Sequence, residues 1–313
     1  MTFSQRRRVI GAIVADLEHL IAECGPGFRR RAIEANLDFF RAARSPVTFL
    51  WWQLGRARRV DADHLLELAD FPLTSWQAQL YRDLGWAERK SFPGLLTPLV
   101  QFLSASNAKT FLDFGCGAMA TERQVILAGS GLAGPGRFFL GLDSSPVAWD
   151  LIQETFGDMA DAVQLIRIQD LIGLDPEGLL SQSICPNVVA FLNADVTALA
   201  PSGKVFDIAF SSKFAHHLNY EQNENITQQA MRIAKRYVEY DDYKSSLSWI
   251  PPTLMAWRRP VLLNGALLSR LRQPTKRQLL NFPRFSHVTF HSPPGAYIAE
   301  VCPPQPTSPP SPA

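Results

Sequence analysis

Thr110-Phe111-Leu112-Asp113-Phe114-Gly115-Cys116-Gly117 is the stretch on which the reading of this chain turns. The first five residues, apolar or β-branched around a single acid, predict a short buried strand. The two glycines predict a tight turn, and a helix is expected from about Ala120. A strand that turns through glycines into a helix leaves backbone N–H groups at its carboxyl end. Glycines there let a ligand approach the main chain closely.

Three further runs extend the pattern. Arg137-Phe138-Phe139-Leu140-Gly141-Leu142-Asp143 predicts a second strand ending in an acid. Val188-Val189-Ala190-Phe191-Leu192-Asn193-Ala194-Asp195 predicts a third, again closed by an acid. Phe206-Asp207-Ile208-Ala209-Phe210 predicts a fourth, followed by Ser211-Ser212-Lys213-Phe214-Ala215-His216-His217-Leu218. Short apolar strands alternating with helical stretches predict an α/β fold, a Rossmann-like, mostly parallel sheet flanked by helices. The carboxyl ends of such strands line one crevice, where ligands bind. An acid at the end of the second strand, here Asp143, is placed to accept both ribose hydroxyls of a nucleoside. Capping of the next helix by Asp143 or Ser144 is the alternative.

As a set, LDFGCG (112–117), FLGLDSS (139–145), LNADV (192–196) and FDIAFSSKFAHHL (206–218) resemble, in order, the motifs of class I S-adenosylmethionine-dependent methyltransferases. Gln229 to Asp242 looks like that family's helix leading into its fifth strand. Asp242-Tyr243-Lys244-Ser245-Ser246-Leu247 is similar to an Asp-x-x-Arg-Ser segment of the small-molecule and quinone branch. The resemblance spans Thr110 to Val301 and implies S-adenosylmethionine as cofactor. It implies that Asp113 orients the methionine amino group, and that Gly115, Cys116 and Gly117 bring backbone against the methionine portion and ribose. It puts Asp143, with Ser144 beside it, on the ribose hydroxyls, Ala194 and Asp195 around the adenine, and Ser211 and Lys213 at the methionine end and substrate. Two departures stand out. Met119 occupies the place of a frequent third glycine, and the stretch from Phe156 to Pro186 is long, predicting an inserted helical element with Asp170 to Ser181 as a surface loop.

Methyl transfer from a sulfonium needs mainly positioning and desolvation. A hydroxyl, amine or enol acceptor must still lose a proton, and His216 and His217 are the candidate bases. Either histidine could instead pack or cap the next helix. The Asn-Pro-Pro-aromatic motif of many nucleic-acid and glutamine amino-methyltransferases is replaced by Ser-Ser-Lys-Phe, which favours oxygen or carbon acceptors.

Outside this region the chain has a different texture. Residues 1–105 read as a helical extension, with apolar residues three or four apart in Val9 to Glu23, Phe28 to Ala43 and Ala62 to Ala69. Pro46, Pro72, Pro93 and Pro98 are expected at its helix boundaries. Trp51, Trp52, Trp76, Tyr81 and Trp86 either form its core or line a lid over the crevice. Residues 106–301 make the cofactor domain, and the Pro-rich tail 302–313 is expected to be disordered.

Apolar residues make up 46% and charged residues 19%, a globular balance. The start has arginines ahead of an apolar run, as a signal peptide does, but Asp16 and Glu18 break the run and a surface helix is expected. No run reaches the roughly 20 apolar residues of a membrane span. Four scattered cysteines without a CxxC pair predict neither a disulfide framework nor a metal site, consistent with a cytoplasmic location. The net charge is +2, with arginine clusters before Val60 and a basic stretch from Arg258 to Arg284. Solvated helix faces explain these, while peripheral contact with an anionic membrane surface stays open. No nucleic-acid module is evident, so nucleic acid is not expected as a partner. Three functions remain in view: a methyltransferase of natural-product, quinone-like or lipid-like acceptors; a protein or RNA methyltransferase docking through basic helices; and a non-catalytic cofactor-binding scaffold.

Overall fold

The structure is a computed structural model and describes residues 3–45, 48–49, 93–129, 136–145, 147–196, 203–218, 220–243, 273–291 and 295–301. The chain divides into two compact units.

The first unit contains α1 (Phe3–Glu23) and α2 (Phe28–Ala42). Ile10, Ile13, Val14 and Leu17 of α1 and Ile33, Leu37, Phe39 and Phe40 of α2 are buried. Ile10, Ile13, Val14 and Leu17 fall on one stripe, as do Ile33, Leu37 and Phe40, with Phe39 widening the buried face of α2, which is why two amphipathic helices pair. Arg6 is buried and donates to the Ala43 carbonyl, closing the last turn of α2. Arg41 bridges back to Glu18 at 2.7 Å. The start of the chain is thus a packed helix, as its broken apolar run predicts. Trp51, Trp52, Trp76, Tyr81, Trp86, the stretch 62–69 expected to be helical, most of the second basic stretch and the tail 302–313 lie outside the described residues.

Among its described residues the second unit has eight strands: β1 (Thr110–Phe114), β2 (Phe138–Asp143), β3 (Val163–Ile168), β4 (Asn187–Asn193), β5 (Phe206–Ser212), β6 (Ala234–Asp242), β7 (Phe285–His291) and β8 (Ala296–Val301). Their order is β3-β4-β2-β1-β5-β6-β8-β7. The first six pair in parallel, and β8 runs antiparallel to both β6 and β7. The chain steps outward from β1 through β2, then returns to the other side of β1 with β5. That reversal makes the carboxyl end of β1 the switch point of the sheet.

Alternation sorts the strand residues onto two faces. Phe111, Phe139, Phe191, Ile208, Phe210 and Tyr240 pack with α3 (Pro93–Ala105), α4 (Ala120–Gly129) and α5 (Ala148–Phe156). Leu112, Phe114, Leu140, Leu142, Ala209 and Tyr237 face α6 (Pro176–Gln182) and α7 (Tyr220–Ile233). Both faces are covered, so the central strands read as unbroken apolar runs. A last short helix, α8 (Lys276–Leu280), is held by a capping box between Thr275 and Gln278.

Three sequence expectations change. Helix α3, grouped by its texture with the N-terminal helices, buries Leu96, Leu99, Val100 and Leu103 against the sheet, and Arg137 of the β2 approach donates to the Ser104 carbonyl at 3.1 Å. Pro98, expected at a boundary, lies inside α3. The insert 156–186 is not purely helical: Val163-Gln-Leu-Ile-Arg-Ile168 forms the edge strand β3, and α6 occupies 176–182, overlapping the second half of the expected loop. Asp175 starts α6 by accepting the Gly178 N–H at 2.9 Å, with Pro176 at its first position.

Candidate active site

The turn after β1 is shaped by three left-handed residues, Gly115 (φ 72°), Gly117 (φ 50°) and Met119 (φ 54°). A Cβ on Gly115 would lie 2.2 Å from the Phe214 ring, so no side chain fits there. Met119 shows how a missing glycine is accommodated. It adopts the left-handed conformation itself, at a cost of about 1–2 kcal/mol, and its fully buried side chain returns packing energy. Its sulfur and that of Cys116 fill the space where a Cβ on Gly141 would otherwise sit. Cys116 therefore turns its side chain into the core and leaves only backbone to the crevice.

Asp143 ties this turn to the end of β2. Its Oδ2 accepts the Gly117 N–H at 2.9 Å and its Oδ1 accepts the Ser145 N–H at 2.7 Å. Each carboxylate oxygen has two acceptor positions, so each keeps one for a further donor. Burial pushes the Asp143 carboxyl up, an effect opposed by the two amides and by the nearby His217. Asn193, at the end of β4, donates from its side chain to the Asp143 and Ser145 carbonyls at 2.9 and 3.1 Å. Ser144 is exposed beside this knot. Ala194 donates its N–H to the Asp143 carbonyl at 3.1 Å, and Asp195 is exposed two residues beyond the strand end where sequence placed it.

The segment after β5 carries the other candidates. Ser211 is 1% exposed and its hydroxyl meets the Tyr237 hydroxyl at 3.0 Å, so it serves the core of the sheet rather than the crevice. Lys213 adopts a left-handed backbone (φ 56°), pairs with the Asp242 carboxylate and lies 4.7 Å from the centre of the Tyr240 ring. The adjacent histidines part ways although their rings lie 4.1 Å apart. His216 is buried, with Nδ1 at 2.7 Å from Asp241 Oδ1, while Asp241 Oδ2 accepts the His216 backbone N–H at 2.9 Å. Burial alone would raise the Asp241 carboxyl, but His216 and Lys213 hold it below the usual range. His217 is half-buried and acts on Asp143 instead. Asn223 of α7 fixes the short helical turn that carries both, donating to the Ala215 carbonyl at 2.9 Å.

One residue of this region was not anticipated. Glu122, in the first turn of α4, is fully buried beside Asp113, which is 3% exposed. Burial raises the Glu122 carboxyl from 4.5 to about 7. Between those values the folded protein holds a proton that the unfolded chain has lost. Stability should therefore fall as pH rises through that window and level off above it. Glu122→Gln removes this ionisation. It should stabilise the protein by on the order of 2–3 kcal/mol near pH 8 and by little near pH 4. Urea melts at both pH values check this; an equal gain at both would contradict it.

Surface shape alone would direct attention elsewhere. A cavity of about 430 Å³ lined by Thr110, Glu177, Lys204, Asp207 and Lys235 lies at the opposite edge of the sheet, at the amino ends of β1, β5 and β6. Of its acids, Asp207 is already committed, since it accepts the Lys109 and Thr110 amides at 2.8 and 3.1 Å and pairs with Lys235 at 2.7 Å. Chemistry favours the carboxyl edge.

No family model and no curated protein sequence matches the chain. Among solved structures it is similar to the mitomycin 7-O-methyltransferase MmcR, at 17% identity over 88% of this chain and 73% of that one, with a TM-score of 0.48. It is similar to the pyocyanin biosynthetic protein PhzM at 13% identity, covering 87% and 72% of the two chains, with a TM-score of 0.49. An O-methyltransferase family protein from Burkholderia thailandensis matches at 13% identity over 87% and 71%, with a TM-score of 0.46. The fold class follows from this chain's own strand order: a Rossmann-like α/β sheet with an antiparallel strand pair closing one edge. Among the described residues no helix is long and apolar enough to cross a membrane.

Proposed function

We propose that the protein is an S-adenosylmethionine-dependent methyltransferase acting on a hydroxyl of a small-molecule acceptor. The observation that carries this reading is the Asp143 carboxylate, clamped between the Gly117 and Ser145 amides at the switch point of the sheet. It presents two remaining acceptor positions side by side, which suits the two vicinal hydroxyls of a ribose. The residues fit the rest of the cofactor as well. Asp113 suits its ammonium, directly or through water, the backbone of Gly115, Cys116 and Gly117 its methionine portion, Ala194 one face of its adenine, and Asp195 the exocyclic amine.

When bound, the cofactor supplies an electrophilic methyl group on a sulfonium. The chain's part is to exclude water, align the acceptor and remove its proton. An ionised carboxylate can only accept, so Asp241 holds the proton of His216 on Nδ1 and leaves Nε2 basic. His216 Nε2 then takes the hydroxyl proton as the acceptor oxygen attacks, and Asp241 stabilises the imidazolium that results. Lys213, beside Asp242, supports the negative charge developing on the acceptor oxygen. Oxygen is preferred over carbon in this reading because a fixed His–Asp pair matches the loss of a hydroxyl proton.

The test is transfer from methyl-labelled S-adenosylmethionine to a panel of phenols, hydroxyquinones and hydroxylated lipids. Label in a small-molecule product supports the reading. Label only in RNA or protein favours the docking alternative, and cofactor binding without transfer to any acceptor favours a scaffold.

A further inference from the structure

The sheet ends on β3 at one side and β7 at the other, and the two edges are protected very differently. An edge strand offers unpaired main-chain groups, so edges are normally blunted by bulges, prolines or outward polar side chains. β7 follows that rule: a bulge breaks its register between Phe285 and His287, and Ser286, His287 and Thr289 are exposed along it. β3 keeps an unbroken register with β4, has no proline and carries one charge, Arg167. Leu165, Ile166 and Ile168 stay half-exposed on it.

The direction of its main-chain groups follows from one bond. The Ala162 carbonyl accepts the Asn187 N–H of β4 at 3.2 Å, so Gln164 and Ile166, in step with it, turn their main chain toward β4. Val163, Leu165 and Arg167 turn theirs outward. The Val163 N–H is spent on the Met159 carbonyl at 2.9 Å, which leaves the Leu165 and Arg167 amides facing out along the edge.

The features around β3 fall in matching pairs at its two ends. Arg167 is exposed near the carboxyl end, and Asp161 is exposed just before the amino end. Ile172, 84% exposed, follows the carboxyl end. Ile184, 96% exposed, lies by the amino end, where the next residue, Cys185, reaches the Ala160 carbonyl at 3.4 Å. A twofold axis through Leu165 lays each end against the other, acid to guanidinium and isoleucine toward isoleucine. Asp170, a second acid at the carboxyl end, is turned back to accept the Ile172 N–H at 2.9 Å.

We propose that β3 is a dimer interface, two copies of this chain pairing antiparallel about a twofold axis at Leu165 and joining their sheets edge to edge. Leu165 pairs with its own counterpart, and the Arg167 N–H donates to the Val163 carbonyl of the second copy. Arg167 of each copy meets Asp161 of the other. The contact is isologous and consumes the β3 edge of both copies, while β7 stays blunted, so association stops at two. The pairing stands independently of the cofactor reading.

The experiment is analytical ultracentrifugation of the full-length protein across micromolar concentrations, with circular dichroism to show that each variant is folded. The wild type should be a dimer. Leu165→Pro removes an outward amide, which an edge strand tolerates within one copy, and should abolish the dimer. Arg167→Glu sets like charges against each other and should raise the dissociation constant by about tenfold or more. Adding Asp161→Arg to Arg167→Glu restores opposite charges with their signs exchanged and should recover the dimer. A monomeric wild type, assemblies larger than two, a dimer that Arg167→Glu leaves intact or one that the double variant fails to recover would overturn the proposal. The charge exchange decides the matter even if Leu165→Pro does not fold.

Discussion

His216→Ala is expected to lower kcat for methyl transfer about 10²–10⁴-fold, the range set by loss of a positioned general base. The size of the effect follows from the pair in which His216 sits. Asp241 grips both the ring Nδ1 and the backbone N–H of the same residue, so the imidazole is fixed in position and tautomer together. Asp241→Asn should lose nearly as much, because an amide no longer dictates which nitrogen carries the proton. The defect in His216→Ala should shrink as pH rises toward the acceptor's own pKa, where the acceptor ionises unaided. S-adenosylhomocysteine affinity should hardly change. His217→Ala should show the reverse pattern, with weakened cofactor binding and a modest effect on kcat, since His217 acts on Asp143. Steady-state kinetics on the three folded variants is the check. A wild-type kcat in His216→Ala, or a larger loss in His217→Ala, would move the base elsewhere.

The two histidines illustrate what sequence carries and what it leaves out. Adjacent and chemically identical, they differ only in direction on a short helical turn. The residue that separates them, Asp241, comes 25 positions later on another strand. Local pattern has no access to that pairing. By contrast β1, the turn at Gly115–Gly117, α4 and β2 were legible to within a residue, because both faces of the central strands are buried and each reads as a continuous apolar run. The edge strand β3 was missed for the opposite reason. Only Val163 in it is buried, and its other residues are half-exposed or, at Arg167, exposed, so its pattern blends into the helical texture of the insert. Glu122 was invisible because an acid at the start of a helix has a routine local explanation. Its inward direction appears only when α4 lies on the sheet. Ser211 is the converse case: its place after the strand apolar core suggested the crevice, while β5 in fact continues through Ser212 and keeps Ser211 inside. The strands β7 and β8 went unread because what separates them from β6 in sequence hides an antiparallel return to the same sheet.

The remaining large effect concerns the cofactor. Asp143→Ala removes a charged acceptor that faces two hydroxyl donors, a loss of on the order of 1.5–3 kcal/mol, or roughly ten- to a hundredfold in affinity. The same substitution frees the Gly117 and Ser145 amides and loosens the turn that carries the methionine end, so the upper part of that range is expected. Structural collapse is not expected, because Asn193 and the β1–β2–β4 ladder hold the strand ends independently. The most direct single measurement is therefore calorimetric titration of S-adenosylhomocysteine into wild type and Asp143→Ala, with circular dichroism melts confirming that both are folded. Saturable binding by the wild type at one site per chain, weakened at least tenfold in the variant, is the expected result; no binding by the wild type, or equal affinity in the two, would contradict the placement of a nucleoside cofactor at the carboxyl edge of this sheet.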